Sequence, residues 1–232
     1  MPANAQKAVP LPFADRAAAG RLLGARLLQL SADPAGGLGL DRTVVLALPR
    51  GGVPVGREVS LALRVPLDVL VTRKIGYPLQ PELGVGAVAE GGQPFFDEEM
   101  LVRLGLTAAA LGPVVSSERA ELSRRIAVYR GGRPMVAIRG RDVIVVDDGL
   151  ATGVTARAAL RAARAAQASR ITLAVPVAAP SSAAAMRAEA DHVVVLAAPP
   201  AFRAVGEWYQ SFGQLTDADV VRLLAPAADP AG

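Results

Sequence analysis

The sequence predicts an α/β fold: a twisted, mainly parallel sheet with helices on both faces, plus a helical insertion over 84–135 and a small hood over 199–215. Three observations lead there. Short runs rich in β-branched residues recur at 43–48, 66–72, 142–146, 171–177 and 192–196. Spans with helical apolar spacing separate most of them, and strand–helix–strand alternation of this length makes parallel βαβ units. Two runs exit into special turns, Pro49-Arg50-Gly51-Gly52 and Asp147-Asp148-Gly149. In open parallel sheets, function gathers at such carboxyl ends.

Each element has its own signal. Span 13–30 presents Leu22, Leu23, Leu27, Leu28 and Leu30 at helical spacing, and SADPAGGLGLD breaks it. TVVLAL at 43–48 reads as a buried strand entering a glycine turn, 53–63 as a helix, and PLDVLVT at 66–72 as the next parallel strand. Residues 73–92 are polar and rich in glycine and proline, with one strand at 85–90 that returns at Phe95-Phe96. Helices follow at 97–104 and 107–129. The second ends near Arg124, Arg125 and Arg130, charges that suit a helix C-terminus, before Gly131-Gly132. After the strand at 142–146 come a helix to about 167, a strand at 171–177, a helix at 181–190 and a strand at 192–196. Phe202, Trp208, Tyr209 and Phe212 cluster near the end, and 225–232 read as a flexible tail. No tandem repeat is present, and 1–232 read as one domain.

Composition narrows the chemistry. With no cysteine and one histidine, thiol nucleophiles, disulfides, zinc sites and histidine triads are disfavoured. No apolar run is long enough to span a membrane, and the first residues do not read as an export signal, so a cytoplasmic protein is expected. The net charge is +4, and Lys7 and Lys74 are the only lysines among 25 basic residues. No basic stripe with interleaved aromatics appears, so a small phosphate-rich anion is favoured over nucleic acid.

The strongest signal is DVIVVDDGLATGVT. A strand delivers Asp147 and Asp148, and a loop of small residues then opens a helix. Backbone N–H groups of such a loop form an anion site, to which Thr152 and Thr155 add hydroxyls. The carboxylates would repel that anion, so they call for a proton donor. A ribose 2′,3′-diol fits, and one loop then matches both ends of a ribose 5-phosphate. A P-loop would need Gly-Lys where Gly153-Val154 stand, and a phosphorelay receiver would need a lysine beyond Lys74.

This segment resembles the 5-phosphoribosyl 1-pyrophosphate (PRPP) motif of the type I phosphoribosyltransferases, and LPRGGVPVGREV, RKIG and FRAVGEWYQSFGQ extend the likeness to uncharacterised bacterial members. The resemblance implies that fold, and a transferase of nucleotide metabolism that uses PRPP and releases pyrophosphate. It implies ribose binding by Asp147 and Asp148, and 5′-phosphate binding by Gly149, Ala151, Thr152, Gly153, Val154 and Thr155. Pyrophosphate would meet Arg50, Gly51, Gly52, Arg73 and Lys74, with an unusual backbone at Arg50-Gly51, a cis peptide included. Arg73-Lys74 resembles a step in adenine and orotate phosphoribosyltransferases that precedes a mobile loop, here 76–84. Catalytic roles are expected for Arg73, Lys74, Glu82 and Glu90, the glutamates as candidate bases, and ring stacking for Trp208 and Tyr209. Asp15-Arg16 fits either an ion pair or a lobe over the acceptor. Mg²⁺ is the expected cofactor, held through PRPP and water with no direct protein ligand named. The acceptor is unidentified, with a nitrogen heterocycle expected, and the resemblance allows a homodimer. The alternative is a PRPP-sensing regulator that binds RNA or DNA.

Overall fold

The computed structural model describes residues 9–32 and 39–225, so Lys7 and the expected tail beyond Ala225 lie outside the described residues. The chain runs α1 (Arg16–Ser31), β1 (Thr43–Ala47), α2 (Gly52–Leu63), β2 (Leu67–Val69), β3 (Thr72–Tyr77), β4 (Gln80–Ala89), β5 (Phe95–Phe96), α3 (Glu98–Leu104) and α4 (Gly112–Arg130). It continues through β6 (Asp142–Val146), α5 (Val154–Ala165), β7 (Arg170–Val177), α6 (Pro180–Met186), β8 (His192–Ala197) and α7 (Asp217–Leu224). Five strands form a parallel sheet in the order β2-β1-β6-β7-β8, as the alternating pattern predicts.

The central strands are mostly apolar because both faces are covered, with Thr43, Asp142 and Thr172 as buried polar residues near their starts. Alternation sends Val44, Leu46, Val143 and Val145 to the face packed by Leu160, Ala156 and Ala163 of α5. Val45 and Ile144 face Leu23 and Leu27 of α1 and Val55 and Val59 of α2. Every residue of β1 and β6 is buried. Burying one such aliphatic side chain contributes about 1.5–3 kcal/mol.

Two segments differ from the sequence expectation. The run 66–72 is not one strand: β2 stops at Val69, and Thr72 opens β3 in a separate antiparallel sheet, β3-β4-β5. The segment 73–92, expected as a loop with one strand, is mostly a paired hairpin. Its register runs from Thr72↔Ala89 to Tyr77↔Gln80 and shifts around Gly76. Its face with Ala87 and Ala89 packs on Val154, Ala158 and Ala162 of α5, while Val88 packs toward Leu122 and Tyr129 of α4. Small residues on one face of β4 let α5 approach, which a composition-based reading scores as loop. Beyond the aromatic cluster, α7 is an ordered helix with a Thr216–Asp219 capping box, and its Val220 is fully buried.

Candidate functional site

Strands β1 and β6 are neighbours in register Ala47↔Val146, so their exit loops lie side by side. The contact is tight enough to require glycine. A Cβ on Gly51 would sit 2.1 Å from Asp148 Oδ2, and one on Gly52 would sit 2.6 Å from the Val146 carbonyl oxygen. The glycine turn is therefore packed directly on the acidic pair. A non-proline cis peptide is present in this turn, at Pro49-Arg50 and not at Arg50-Gly51 as expected.

Both carboxylates are short of donors. Asp147 Oδ1 accepts the Asp148 backbone N–H at 2.9 Å. Asp148 Oδ2 accepts Arg16 Nε at 2.8 Å, an ion pair whose side chains are 12% and 13% exposed. Burial pushes the Asp147 carboxyl well above the usual carboxylate range, and the adjacent Asp148 charge adds to it. Burial also raises Asp148, against the opposing pull of Arg16. Hydroxyl donors arriving at this pair would relieve a charge that the fold keeps at a cost.

The following loop is pinned at its base and open at its tip. Leu150 N donates to the Val177 carbonyl and Ala179 N to the Leu150 carbonyl, both at 2.9 Å. Gly149 lies against Val205, where a Cβ would meet Cγ1 at 2.5 Å. Ala151 and Thr152 are exposed, and Thr155 is half-buried. Gly153, at φ 76°, is the N-cap of α5 and provides no side-chain cap. The first-turn N–H groups of α5 are thus left for another acceptor, the geometry of an anion cradle. The Val154 side chain is buried against the hairpin, so only its backbone can serve a ligand.

The hood is built from two distant segments. Phe13 N donates to the Trp208 carbonyl and Gln210 N to the Phe13 carbonyl, both at 2.8 Å. Tyr209 Oη donates to the Asp148 carbonyl, and its ring lies 5.5 Å from Phe13 and 5.1 Å from Phe212. This corrects the stacking expectation for Tyr209: it is a buried pillar with its hydroxyl bound. Trp208 lies 6.3 Å from Phe202 in a stacked arrangement, and its Nε1 is buried without a hydrogen-bond partner. Arg16 joins the hood to the acids. Besides Asp148, it donates from Nη1 to the Gly213 carbonyl at 2.8 Å and stacks 3.7 Å above the Phe212 ring. The sequence leaves Arg16 undecided because its partners lie far along the chain; the Asp15 N-cap of α1 is the local sign of its position.

The hairpin separates Arg73 from Lys74. Consecutive strand residues point to opposite faces, so the two cannot act as one cluster. Arg73 shares the α4 face with its cross-strand partner Val88 and binds Glu118 at 2.7 Å. Lys74 shares the α5 face with Ala87, and its Nζ donates to the Glu82 carbonyl at 2.8 Å. The Glu82 side chain is almost fully exposed. Glu90 does not fit the expected role of base. Its two oxygens take Nη1 and Nη2 of Arg130, a 4% exposed guanidinium that also binds Asp68, so it belongs to a buried ion cluster. Among the described residues no group of three or more acidic, histidine or cysteine side chains could hold a metal ion. No single described helix is both long and apolar enough to cross a membrane.

An acidic pair at a strand exit, an uncapped helix N-terminus and a glycine turn in contact with the acids have the chemistry to accept hydroxyl donors and an anion side by side. A family model described as phosphoribosyl transferase domain matches residues 21–200. Two Mycobacterium tuberculosis proteins that carry phosphoribosyl transferase in their names are each 45% identical over 212 residues, 91% of this chain. The crystal structure of TT1426 from Thermus thermophilus superposes with a TM-score of 0.75 at 41% identity, covering 91% of this chain and 97% of that one. The chain therefore belongs to the phosphoribosyl transferase domain family. It spans about half the length of the two M. tuberculosis relatives, 46% of each.

Proposed function

We propose that this chain is a Mg²⁺-dependent phosphoribosyltransferase that binds PRPP across the β1 and β6 exits and transfers the phosphoribosyl group to a nitrogen heterocycle. One observation carries this reading. The donor-poor Asp147–Asp148 pair sits between the uncapped start of α5 and the Gly51-Gly52 turn. In that row, α5 and residues 151–155 would hold the 5′-phosphate, the acids would accept the ribose hydroxyls, and the glycine turn with Arg50 would face pyrophosphate.

The residues divide the work. Each hydroxyl bound to an ionised carboxylate contributes about 1.5–3 kcal/mol and orients C1. The C1–O bond to pyrophosphate breaks as a bond from the acceptor nitrogen to C1 forms; the electron pair leaves with pyrophosphate, and the proton displaced from the acceptor nitrogen passes to water. Arg50 neutralises that leaving charge, with Lys74 or Arg73 according to which hairpin face turns inward. The hood, with half-buried Trp208, excludes water over the acceptor. Two adjacent carboxylates next to substrate phosphates suit Mg²⁺, which keeps most of its water and takes few protein ligands. When bound it supplies further charge neutralisation at pyrophosphate.

Calorimetry with PRPP and Mg²⁺ tests the reading. Asp148→Asn should weaken binding by about 1.5–3 kcal/mol. Unchanged affinity in Asp147→Asn/Asp148→Asn would refute it. A screen of heterocycles that follows pyrophosphate separates a transferase from a sensor. PRPP binding with no pyrophosphate released from it in the presence of any acceptor would favour the sensing regulator.

A further inference from the structure

Helix α4 ends in a cluster of arginines next to the start of α7. Arg124 donates from Nη2 to Asp217 Oδ2 at 3.0 Å. Tyr129 Oη donates to Asp217 Oδ1 at 2.7 Å. Arg50 Nη1 lies 3.9 Å from that same Oδ1. The carboxylate at the start of α7 is therefore held by α4 at both oxygens, and the glycine-turn arginine lies near one of them. Arg124 and Arg125 are held by Glu121 through Nε contacts of 2.7 and 2.8 Å.

The grips are unequal. The Arg124 contact is a hydrogen bond on a helix that also bonds Tyr129 to the same acid, whereas the Arg50 contact, at 3.9 Å, is too long to be one. Two guanidiniums facing opposite oxygens of one carboxylate are spaced to face two oxygens of one phosphate, which has similar geometry and more charge. Arg50 adjoins Gly51, which packs on Asp148, so Arg50 connects this carboxylate to the glycine turn beside the acids.

We propose, resting on the phosphoribosyltransferase reading, that Arg50 and Arg124 form a clamp for the outer phosphate of pyrophosphate and that Asp217 is its internal stand-in. When the anion enters, Arg50 leaves Asp217 for phosphate. Asp217 stays bonded to Tyr129, and Arg124 bridges the acid and the ligand. Pyrophosphate recognition then extends from the β1 turn to α4 and α7, and α7 competes mildly with the ligand.

Titration of magnesium pyrophosphate into the purified chain at fixed salt tests this without an acceptor. Asp217→Asn should tighten pyrophosphate about tenfold, or about 1.4 kcal/mol. Arg124→Met should weaken it by a similar factor, with partial recovery in Arg124→Lys. The gain from Asp217→Asn should vanish in the Arg50→Met background, because Arg50 is the group that the acid competes for. Because Asp217 also begins α7, Asp217→Ser, which keeps a polar first-turn residue without the charge, is measured in parallel with melting temperature. Affinities within twofold of the parent in Asp217→Asn, Asp217→Ser and Arg124→Met overturn the clamp alone. So does weaker binding in both Asp217 variants at an unchanged melting temperature. A parent chain that binds neither pyrophosphate nor PRPP overturns the phosphoribosyltransferase reading together with it.

Discussion

Replacing Arg16 with methionine should destabilise the free protein in a way that depends on pH. The side chain keeps its length, so most of the packing on Phe212 survives, and the charge is what is lost. Asp148 then loses its Nε–H donor at 2.8 Å while still beside Asp147. Removing one partner of a fully buried ion pair costs about 3–5 kcal/mol, and exposed pairs contribute under about 1 kcal/mol. With both side chains about one-eighth exposed, the cost at pH 7 should be roughly 2–4 kcal/mol. For a chain of this size that lowers the melting temperature by roughly 4–16 °C. The pH dependence follows from Asp148. Its carboxyl is already raised by burial, and losing Arg16 raises it further. Between the unfolded value near 3.9 and the raised folded value, the native state binds more protons than the unfolded one, so stability falls as pH rises. The deficit of Arg16→Met should therefore be largest at neutral pH and shrink toward pH 4. Thermal melts of parent, Arg16→Met, Asp148→Asn and the double variant at pH 5 and 7 measure it. A deficit under about 0.5 kcal/mol at pH 7 would match a surface pair and refute the argument. An equal deficit at both pH values would refute the electrostatic part.

Asp147→Asn should raise the melting temperature at pH 7 while weakening PRPP binding. Its carboxyl is pushed up by burial, so its ionised form lowers stability above the ordinary carboxylate range, and an amide oxygen can still accept the Asp148 N–H. A lower melting temperature in this variant would contradict that cause. Gly51→Ala should displace the Asp148 carboxylate, because the added Cβ would sit 2.1 Å from Oδ2; overpacking of this kind costs about 1–3 kcal/mol, and PRPP binding should be lost by calorimetry. Parent-like affinity in Gly51→Ala would mean that the turn and the acids move independently. Hypoxanthine should be a poor acceptor, since Ala151 at the exposed loop tip cannot exchange a proton and Glu90 has both oxygens engaged by Arg130. Turnover of hypoxanthine at kcat/KM above about 10⁴ M⁻¹s⁻¹ would overturn that.

What the sequence makes legible here is what lies close together along the chain. DVIVVDDGLATGVT carries a strand, an acidic turn and a helix start in consecutive residues, and the fold follows from the recurrence of such units. Arg16 is ambiguous in the sequence because its meaning depends on Asp148, 132 positions away, and on Gly213. Glu90 reads as a free acid in a polar segment, yet Arg130, forty positions on, engages both of its oxygens. The hairpin is hidden for another reason. Gly76, Gly84 and Gly86 lower strand propensity, but each faces backbone or a long side chain that would collide with a Cβ. The glycines there mark close approach, which composition alone reads as looseness. Helix α7 does carry a local signal, Thr216 three residues before Asp219, masked by the neighbouring aromatic cluster.

The strain at the acids and the assembly of the hood are connected. The Asp148 charge adds to the burden that burial places on Asp147, and Arg16 hydrogen-bonds only Asp148 of the two. That cation, Arg16, also holds the Gly213 carbonyl and the Phe212 ring, while Tyr209 holds the Asp148 carbonyl. Any ligand that donates hydroxyls to the pair therefore lowers the same electrostatic cost that ties α1 to the hood. Binding and hood order are then coupled through Asp148. A ligand at a hundred times its Kd adds about 2.7 kcal/mol to stability by mass action. Part of that gain should appear as slower amide exchange at 210–211, where the hood pairs with Phe13 and Ala14.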